Sequence, residues 1–270
     1  MYQGFVIFSS ISMKRKRAEK RMQVSQNKLM TICRLIGENK EGEARKLIPP
    51  RSRHLLLMMD NPDGIRWYGH LPLLNFAAMK GCRTIIEYLL DGGADIKWTN
   101  PQNGLTSLHL AAYYGHEQCC KLLLDRGANI EERDYGGSTS LKHASTNGMV
   151  NVCKLLLKKG ANIDARHTDS WTALHCAAFN DDVSLTKLLL SEGARIDLVS
   201  SSIGQTPLGV AKKSGSTNVV SLIENHIVMI NLSGVISRGL IKTSTFSDFL
   251  IHKIDDPRLF LIVAKFAYQK

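Results

Sequence analysis

The chain lacks a run of the roughly 20 consecutive apolar residues that a membrane helix needs. Its apolar start, Phe5-Val6-Ile7-Phe8, is too short for a signal-peptide core, and no basic residue precedes it. An intracellular protein is therefore expected, cytoplasmic or nuclear or both. No Cys-x-x-Cys pair occurs among the six cysteines. Without a secretory leader they read as reduced thiols that pack as small hydrophobes, not as a disulfide framework or a zinc site. Also absent are a nucleophile elbow, a phosphate loop of the Gly-x-x-x-x-Gly-Lys type and a His-Glu-x-x-His helix. The chain is therefore read as non-enzymatic, with no catalytic, cofactor-binding or metal-binding residue. Aromatic residues are sparse, at 7% of the chain. Where they fall is informative for that reason.

What the chain has is a repeated sentence. Thr106-Ser107-Leu108-His109-Leu110-Ala111-Ala112 and Thr172-Ala173-Leu174-His175-Cys176-Ala177-Ala178 are its clearest copies. Thr139-Ser140-Leu141-Lys142-His143-Ala144-Ser145 lies between them, and Thr206-Pro207-Leu208-Gly209-Val210-Ala211-Lys212 follows. A weaker copy, Pro72-Leu73-Leu74-Asn75-Phe76-Ala77-Ala78, comes first. Successive starts are 34, 33, 33 and 34 residues apart. A fixed period of this length means stacked supersecondary units with an extended surface, not one core with a cleft.

A second register runs with the first. Nine residues after each start stands Gly81, Gly115, Gly148 or Gly215, with Asp181 in the fourth copy. Apolar pairs follow, such as Ile85-Ile86, Cys119-Cys120 and Val152-Cys153, and then leucine runs such as Leu122-Leu123-Leu124 and Leu155-Leu156-Leu157. Gly93-Ala94-Asp95-Ile96, Gly127-Ala128-Asn129-Ile130, Gly160-Ala161-Asn162-Ile163 and Gly193-Ala194-Arg195-Ile196 close the units.

The chemistry of each unit predicts two short antiparallel helices. Thr206 can cap a helix with its hydroxyl, and Pro207 suits the first helical position. The Leu/Ala positions give a narrow apolar stripe that lets first helices pack closely. The internal glycine ends that helix in a left-handed conformation, which costs glycine no Cβ clash. Asp181 takes that place at a strain of roughly 1 kcal/mol, and with Asp182 it reads as a local irregularity. The second helix ends at its own glycine. A polar finger-like hairpin leads on to the next unit.

These motifs resemble the ankyrin repeat over residues 61–224. The resemblance implies an all-α solenoid of stacked antiparallel helix pairs with short fingers. It covers five units, over about 61–97, 98–130, 131–163, 164–197 and 198–224. It implies that His109 and His175 hydrogen-bond the turn of their own or the next repeat. It also implies that partners bind the finger tips and the exposed first-helix slots of the concave surface. In this chain the tips hold Trp98, Pro101, Gln102, Arg133, Tyr135, Arg166, Thr168, Asp169 and Trp171. The slots hold Met79, Lys80, Tyr113, Tyr114, Thr146, Asn147, Phe179 and Asn180. Trp98, Tyr113, Tyr114, Arg133, Tyr135, Trp171 and Phe179 are the candidate contacts, since aromatic side chains and arginine dominate interface hot spots. The aromatics are expected on one connected face, with Trp98 at its edge.

The flanks differ from the array. Residues 1–60 carry thirteen Lys/Arg against five Asp/Glu, within a whole-chain net charge of +11. Residues 1–27 read as a basic, disordered segment holding a nuclear-import candidate, Lys14, Arg15, Lys16, Arg17, Lys20 and Arg21. Residues 28–60 read as a degenerate capping repeat of two short helices, closed by Pro49-Pro50. An insertion follows, whose apolar part, Leu55–Met59, docks on the cap before the turn Asn61-Pro62-Asp63-Gly64. Residues 225–270 read as a C-terminal helical cap or tail. Ile227–Ile230 extend the last helix, and Ser244–Ile251 and Leu259–Tyr268 are further apolar segments.

The function expected is a non-catalytic scaffold or adaptor for a protein partner, with no cofactor and no membrane contact, and with the array itself monomeric. Two alternatives stand beside it: a substrate adaptor of a ubiquitin ligase that uses the tail, and a nuclear regulator that meets nucleic acid through the basic segment.

Overall fold

A computed structural model describes residues 31–48, 56–58 and 70–237. The basic run Lys14–Arg21, Pro49-Pro50, the turn Asn61–Gly64, and the tail segments Ser244–Ile251 and Leu259–Tyr268 lie outside the described residues. The chain divides into two units after Ala173.

In the first unit, helix α1 covers residues 31–37 and α2 covers Glu41–Leu47, joined through Asn39 at φ 56°. Glu41 and Glu43 stand in the first turn of α2 and Arg45 and Lys46 in the last, as the helix dipole favours. Ile32, Cys33, Leu35, Ile36 and Ala44 are buried. The pair covers the repeat that follows. Glu41 receives the Thr84 hydroxyl, the Tyr88 hydroxyl reaches the Ile48 carbonyl at 3.3 Å, and Arg45 lies 5.0 Å from the Tyr88 ring centre.

Three helix pairs come next. They are α3 (Leu73–Lys80) with α4 (Arg83–Asp91), α5 (Ser107–Tyr113) with α6 (Glu117–Asp125), and α7 (Ser140–Thr146) with α8 (Val150–Lys158). First helices α3, α5 and α7 lie side by side, and so do second helices α4, α6 and α8. Ala77, Ala78, Ala111 and Ala112 are fully buried, so small side chains set the close approach of the first helices. Ile85, Ile86, Cys120, Leu123, Cys153 and Leu156 fill the layer between the pairs. Ion pairs tie successive second helices at their ends: Arg126 to Asp91 at 2.7 Å and Lys159 to Asp125 at 2.7 Å.

The internal glycine is needed for two reasons. Gly81 takes φ 75°, and a Cβ there would meet the His116 ring at 2.6 Å. That ring comes from the next repeat and donates through Nε2 to the Met79 carbonyl at 3.0 Å.

In the second unit, α9 (Ala173–Phe179) pairs with α10 (Val183–Ser191), and α11 (Pro207–Ser214) with α12 (Thr217–Ser237). Thr206 caps α11 by accepting from Gly209 N–H, with Pro207 at the first helical position, as its sequence predicts. Helix α12 runs through Ile227–Ile230 and packs on α10 and α11.

Two expectations change. Leu56–Met58 forms a short strand, β1, paired antiparallel with β2 (His70–Pro72), Leu57 opposite Leu71. The apolar insertion thus satisfies its backbone groups against the entry to α3, rather than being placed only by docking on the cap. The acidic pair is a fastening, not an irregularity. Asp181 holds φ 52° while its carboxylate accepts from Val219 N–H at 3.1 Å and the Asn218 amide at 2.9 Å. Asp182 caps α10 by accepting from Leu185 N–H at 2.9 Å. All six cysteines are buried, and none is in a disulfide. Burial pushes the Cys33 and Cys82 thiols up to about 12 and Cys119 up to about 11, so none of these three is a ready thiolate.

Candidate protein-interaction face

The geometry of α5 begins at its cap. Thr106 accepts from His109 N–H, while His109 Nδ1 accepts from Thr106 N–H at 3.1 Å. The other ring nitrogen, Nε2, donates to the Glu132 carbonyl at 3.0 Å, in the finger of the next repeat. His109 is fully buried, and burial, followed by the charge of His143, pulls its pKa down to about 4. His175 Nε2 likewise donates to the Gln205 carbonyl at 3.2 Å. Both histidines therefore link a first helix to the following finger, as the resemblance implied.

The third repeat is built differently. Lys142 stands where His109 and His175 stand in their repeats, and Thr139 makes no side-chain cap bond. His143, one position on, donates through Nε2 to Asp134 at 2.8 Å, and Asp134 also accepts from Ser138 N–H at 2.7 Å. Burial opposes the charge on Asp134, but the His143 and Ser138 hydrogen bonds outweigh it and hold the carboxyl below its usual range. An imidazole on a carboxylate has the form of a base with its orienting group. The rings packed on His143, however, are His109 at 5.4 Å and Tyr113 at 6.1 Å, and neither is an activated nucleophile. Among the described residues no group of three His, Cys, Asp or Glu side chains could hold a metal ion.

The predicted contact residues fall into three groups. Tyr113, Tyr135 and Phe179 are exposed, at 42%, 64% and 56%. Tyr114, Trp98 and Trp171 are half-buried. Tyr113 and Tyr114 meet edge to face at 5.0 Å, and Tyr114 stacks on His116 at 6.4 Å. Tyr135 lies over the preceding finger, its N–H bonded to the Asn103 carbonyl at 3.0 Å and its ring against Gly104. Arg133 is exposed, but its guanidinium is committed to two carbonyls, Gly137 at 2.8 Å and Arg166 at 2.6 Å. It staples its finger to the next one. In the second unit, Phe179 stands at the end of α9.

Sequence reading missed Val199 and Ile203, exposed at 45% and 39% in the last finger. Register was the available signal, since Val199 precedes Ser200 as Arg133 precedes Asp134. It also missed His116 and His143, whose partners lie 37 and 9 residues away.

Helix pairs repeated at this period, joined by fingers and carrying exposed aromatic and aliphatic side chains there, define an all-α repeat solenoid. The chain belongs to the ankyrin repeat family, whose profile, "Ankyrin repeats (3 copies)", matches residues 74–167 and 162–232. Members of this family bind protein partners and are generally non-catalytic. The chain is 33% identical over 98 residues to diacylglycerol kinase iota of Homo sapiens, covering 36% of this chain and 9% of that protein. It is 42% identical over 65 residues to the E3 ubiquitin-protein ligase hecd-1 of Caenorhabditis elegans, covering 24% of this chain and 2% of that protein. The inhibitor of Bruton tyrosine kinase of Xenopus laevis matches at 34% over 64 residues, 23% of this chain and 5% of that protein. The chain thus spans less than a tenth of the length of these relatives. No helix among the described residues is long and apolar enough to cross a membrane.

Proposed function

We propose that the chain is a non-catalytic scaffold or adaptor that takes a protein partner on its fingers and first-helix slots. One observation carries this. Of the exposed large apolar side chains among the described residues, Tyr113, Tyr135, Phe179, Val199 and Ile203 sit on fingers or first helices, and only Ile230, on α12, does not. Exposed apolar area costs about 25 cal/mol per Å2 against water, so its restriction to these slots marks a surface meant to be covered.

The test is affinity capture with the intact chain, followed by calorimetry with the purified partner. Tyr113→Ala and Phe179→Ala should each weaken binding by more than about 1 kcal/mol without lowering the melting temperature. The same is expected of Tyr114→Ala and Trp171→Ala. Lys154→Glu, on the outer side of α8, should leave binding unchanged. Retention of the partner by all four face variants would sink the reading.

The likeness to hecd-1 supports a narrower second reading, an adaptor within a ubiquitin ligase that uses residues 225–270. Deleting residues 238–270 should then remove ligase components from the captured set while leaving the face-bound partner.

A further inference from the structure

The last repeat leaves apolar positions uncovered that every earlier repeat buries. Fourteen residues after each start stand Ile86, Cys120, Cys153 and Thr186, all 0% exposed, but Val220 is only half-buried. Two residues after each start, Leu74, Leu108, Leu141 and Leu174 are at most 3% exposed, but Leu208 is only half-buried. Six residues after each start, Ala78, Ala112, Ser145 and Ala178 are fully buried, while Lys212 is exposed and pairs with Glu224 at 2.8 Å. These positions are covered wherever a further repeat follows in sequence. In the last repeat only one of them, Lys212, has become charged.

Helix α12 carries the uncovered side further. It runs 21 residues, against nine for α4, α6, α8 and α10. Val219 and Ile223 are 0% exposed, on the side that packs against α10 and α11. Val220, Glu224 and Ile227 stand at i, i+4 and i+7, so they form a second stripe. Ile227 is half-buried, and Ile230, a turn on, is 48% exposed. Residues 226–237 contain no Asp, Glu, Lys or Arg. A helical stretch that is apolar on more than one side is a covered one. The first helix pair ends differently. Every exposed side chain of α1 and α2 is charged, namely Arg34, Glu43, Arg45 and Lys46, as the finished end of an array requires.

We infer that residues 259–268 of the same chain seat on this stripe and close the last repeat over Leu208, Val220 and Ile227. The segment reads LFLIVAKFAY, with Lys265 its one charge, and its length is close to the nine residues of a second helix. Residues 238–258 connect it to α12, and a connection of that length spans up to about 70 Å. Val220 lies about 26 Å along the helix from Ser237, well within that reach. A tethered segment meets its site at an effective concentration of about millimolar. A second copy of the chain arrives only at the concentration of the protein, which favours the tethered segment. The second copy is one rival occupant, and a recruited ligase component is the other. The inference does not rest on the proposed function, which Tyr113→Ala tests by itself.

The experiment places a photo-cross-linker in the full chain, as Phe266→p-benzoyl-phenylalanine, and maps the products by mass spectrometry. Products to α11 or α12 of the same chain are expected, at the monomer mass and with a yield independent of protein concentration. Val220→Glu and Ile227→Glu each put a second carboxylate beside Glu224 and should cut that yield about tenfold. Both should speed amide hydrogen exchange over residues 259–268 by about the same factor. Ser221→Glu, exposed on another side of α12, should change neither. Leu261→Asp guards against a misfolded array, because it lies outside the repeats. It should abolish the product and leave exchange over α9 and α10 as it was. A product only at the dimer mass would assign the stripe to a second copy and overturn the inference. A product only with a captured protein would overturn it in favour of a recruiting tail. No product on α11 or α12, or a yield indifferent to both Val220→Glu and Leu261→Asp, would overturn it as well.

Discussion

His109 fits its place in the fold only as a neutral ring. Its Nε2–H donates to a carbonyl and its Nδ1 accepts from a backbone N–H, so both nitrogens are used by the neutral ring. A proton on Nδ1 would set donor against donor and break the cap of α5. The folded pKa, about 4, lies below the unfolded value of 6.5. The unfolded chain therefore takes up the proton first as pH falls. The stability His109 contributes is complete above pH 6.5 and is lost between there and about 4, amounting to about 3 kcal/mol. His167, also lowered, adds in the same direction. Asp134, whose ordinary value is 3.8, works below this window. Urea unfolding at pH 7, 6, 5 and 4.5 should show the decline, and His109→Gln should flatten it. An unchanged slope in that variant would assign the effect elsewhere. Asp181 offers a second test at this scale, because strain and fastening pull in opposite directions. Asp181→Gly removes a left-handed strain of roughly 1 kcal/mol along with two hydrogen bonds, while Asp181→Ala keeps the strain and loses the bonds. We expect the alanine variant to be the less stable of the two by roughly 1 kcal/mol. Equal melting temperatures would mean that the φ of 52° carries no cost.

At the scale of elements, much of the array was legible because its demands are local. Gly81, Gly115, Gly148 and Gly215 all take positive φ, as their place nine residues after each start required. The leucine runs sat on a helical period, and each turns at least one leucine inward: Leu123, Leu156 and Leu189 are fully buried, while Leu124, Leu155 and Leu157 are half-buried. What was not legible depends on partners distant in sequence. Asp134 meets His143 because the third repeat moves its histidine by one position, and nothing in the spacing says that a finger acid will receive it. Arg133 looked like a contact residue because exposed arginines often are, yet its guanidinium bonds two carbonyls across fingers. Strand β1 escaped because Leu56–Met58 shows no alternation, and its partner β2 is not adjacent in sequence. The register itself can be tested. Leu123 of α6 and Leu156 of α8 are each 0% exposed, between neighbouring helix pairs. Leu123→Asp or Leu156→Asp buries an unpaired carboxylate and should cost at least about 3 kcal/mol. A melting temperature unchanged in either variant would place these leucines on the wrong face of their helices.

For the molecule as a whole, the distribution of charge carries the remaining argument. Thirteen basic residues against five acidic ones in residues 1–60 give that segment most of the net charge of +11. The repeats are held by neutral caps, buried leucines and paired surface charges such as Arg126 with Asp91, so they do not need this excess. A chain whose binding face sits on the repeats while its basic charge lies before them can separate recognition from placement. Lys14, Arg15, Lys16, Arg17, Lys20 and Arg21 form the run that we propose acts as an import signal. A short basic run acts when it is accessible, and it acts without help from the face. Two outcomes should therefore be independent. Replacing Lys14, Arg15, Lys16 and Arg17 by alanine should shift a fluorescently tagged chain from nucleus to cytoplasm and leave its melting temperature and its captured partner unchanged. Tyr113→Ala should do the reverse, losing the partner without changing the distribution. A distribution indifferent to the alanine run would leave the basic segment as solvated charge and nothing more. A distribution that follows Tyr113 instead would mean that the partner, not the basic run, carries the chain to its compartment.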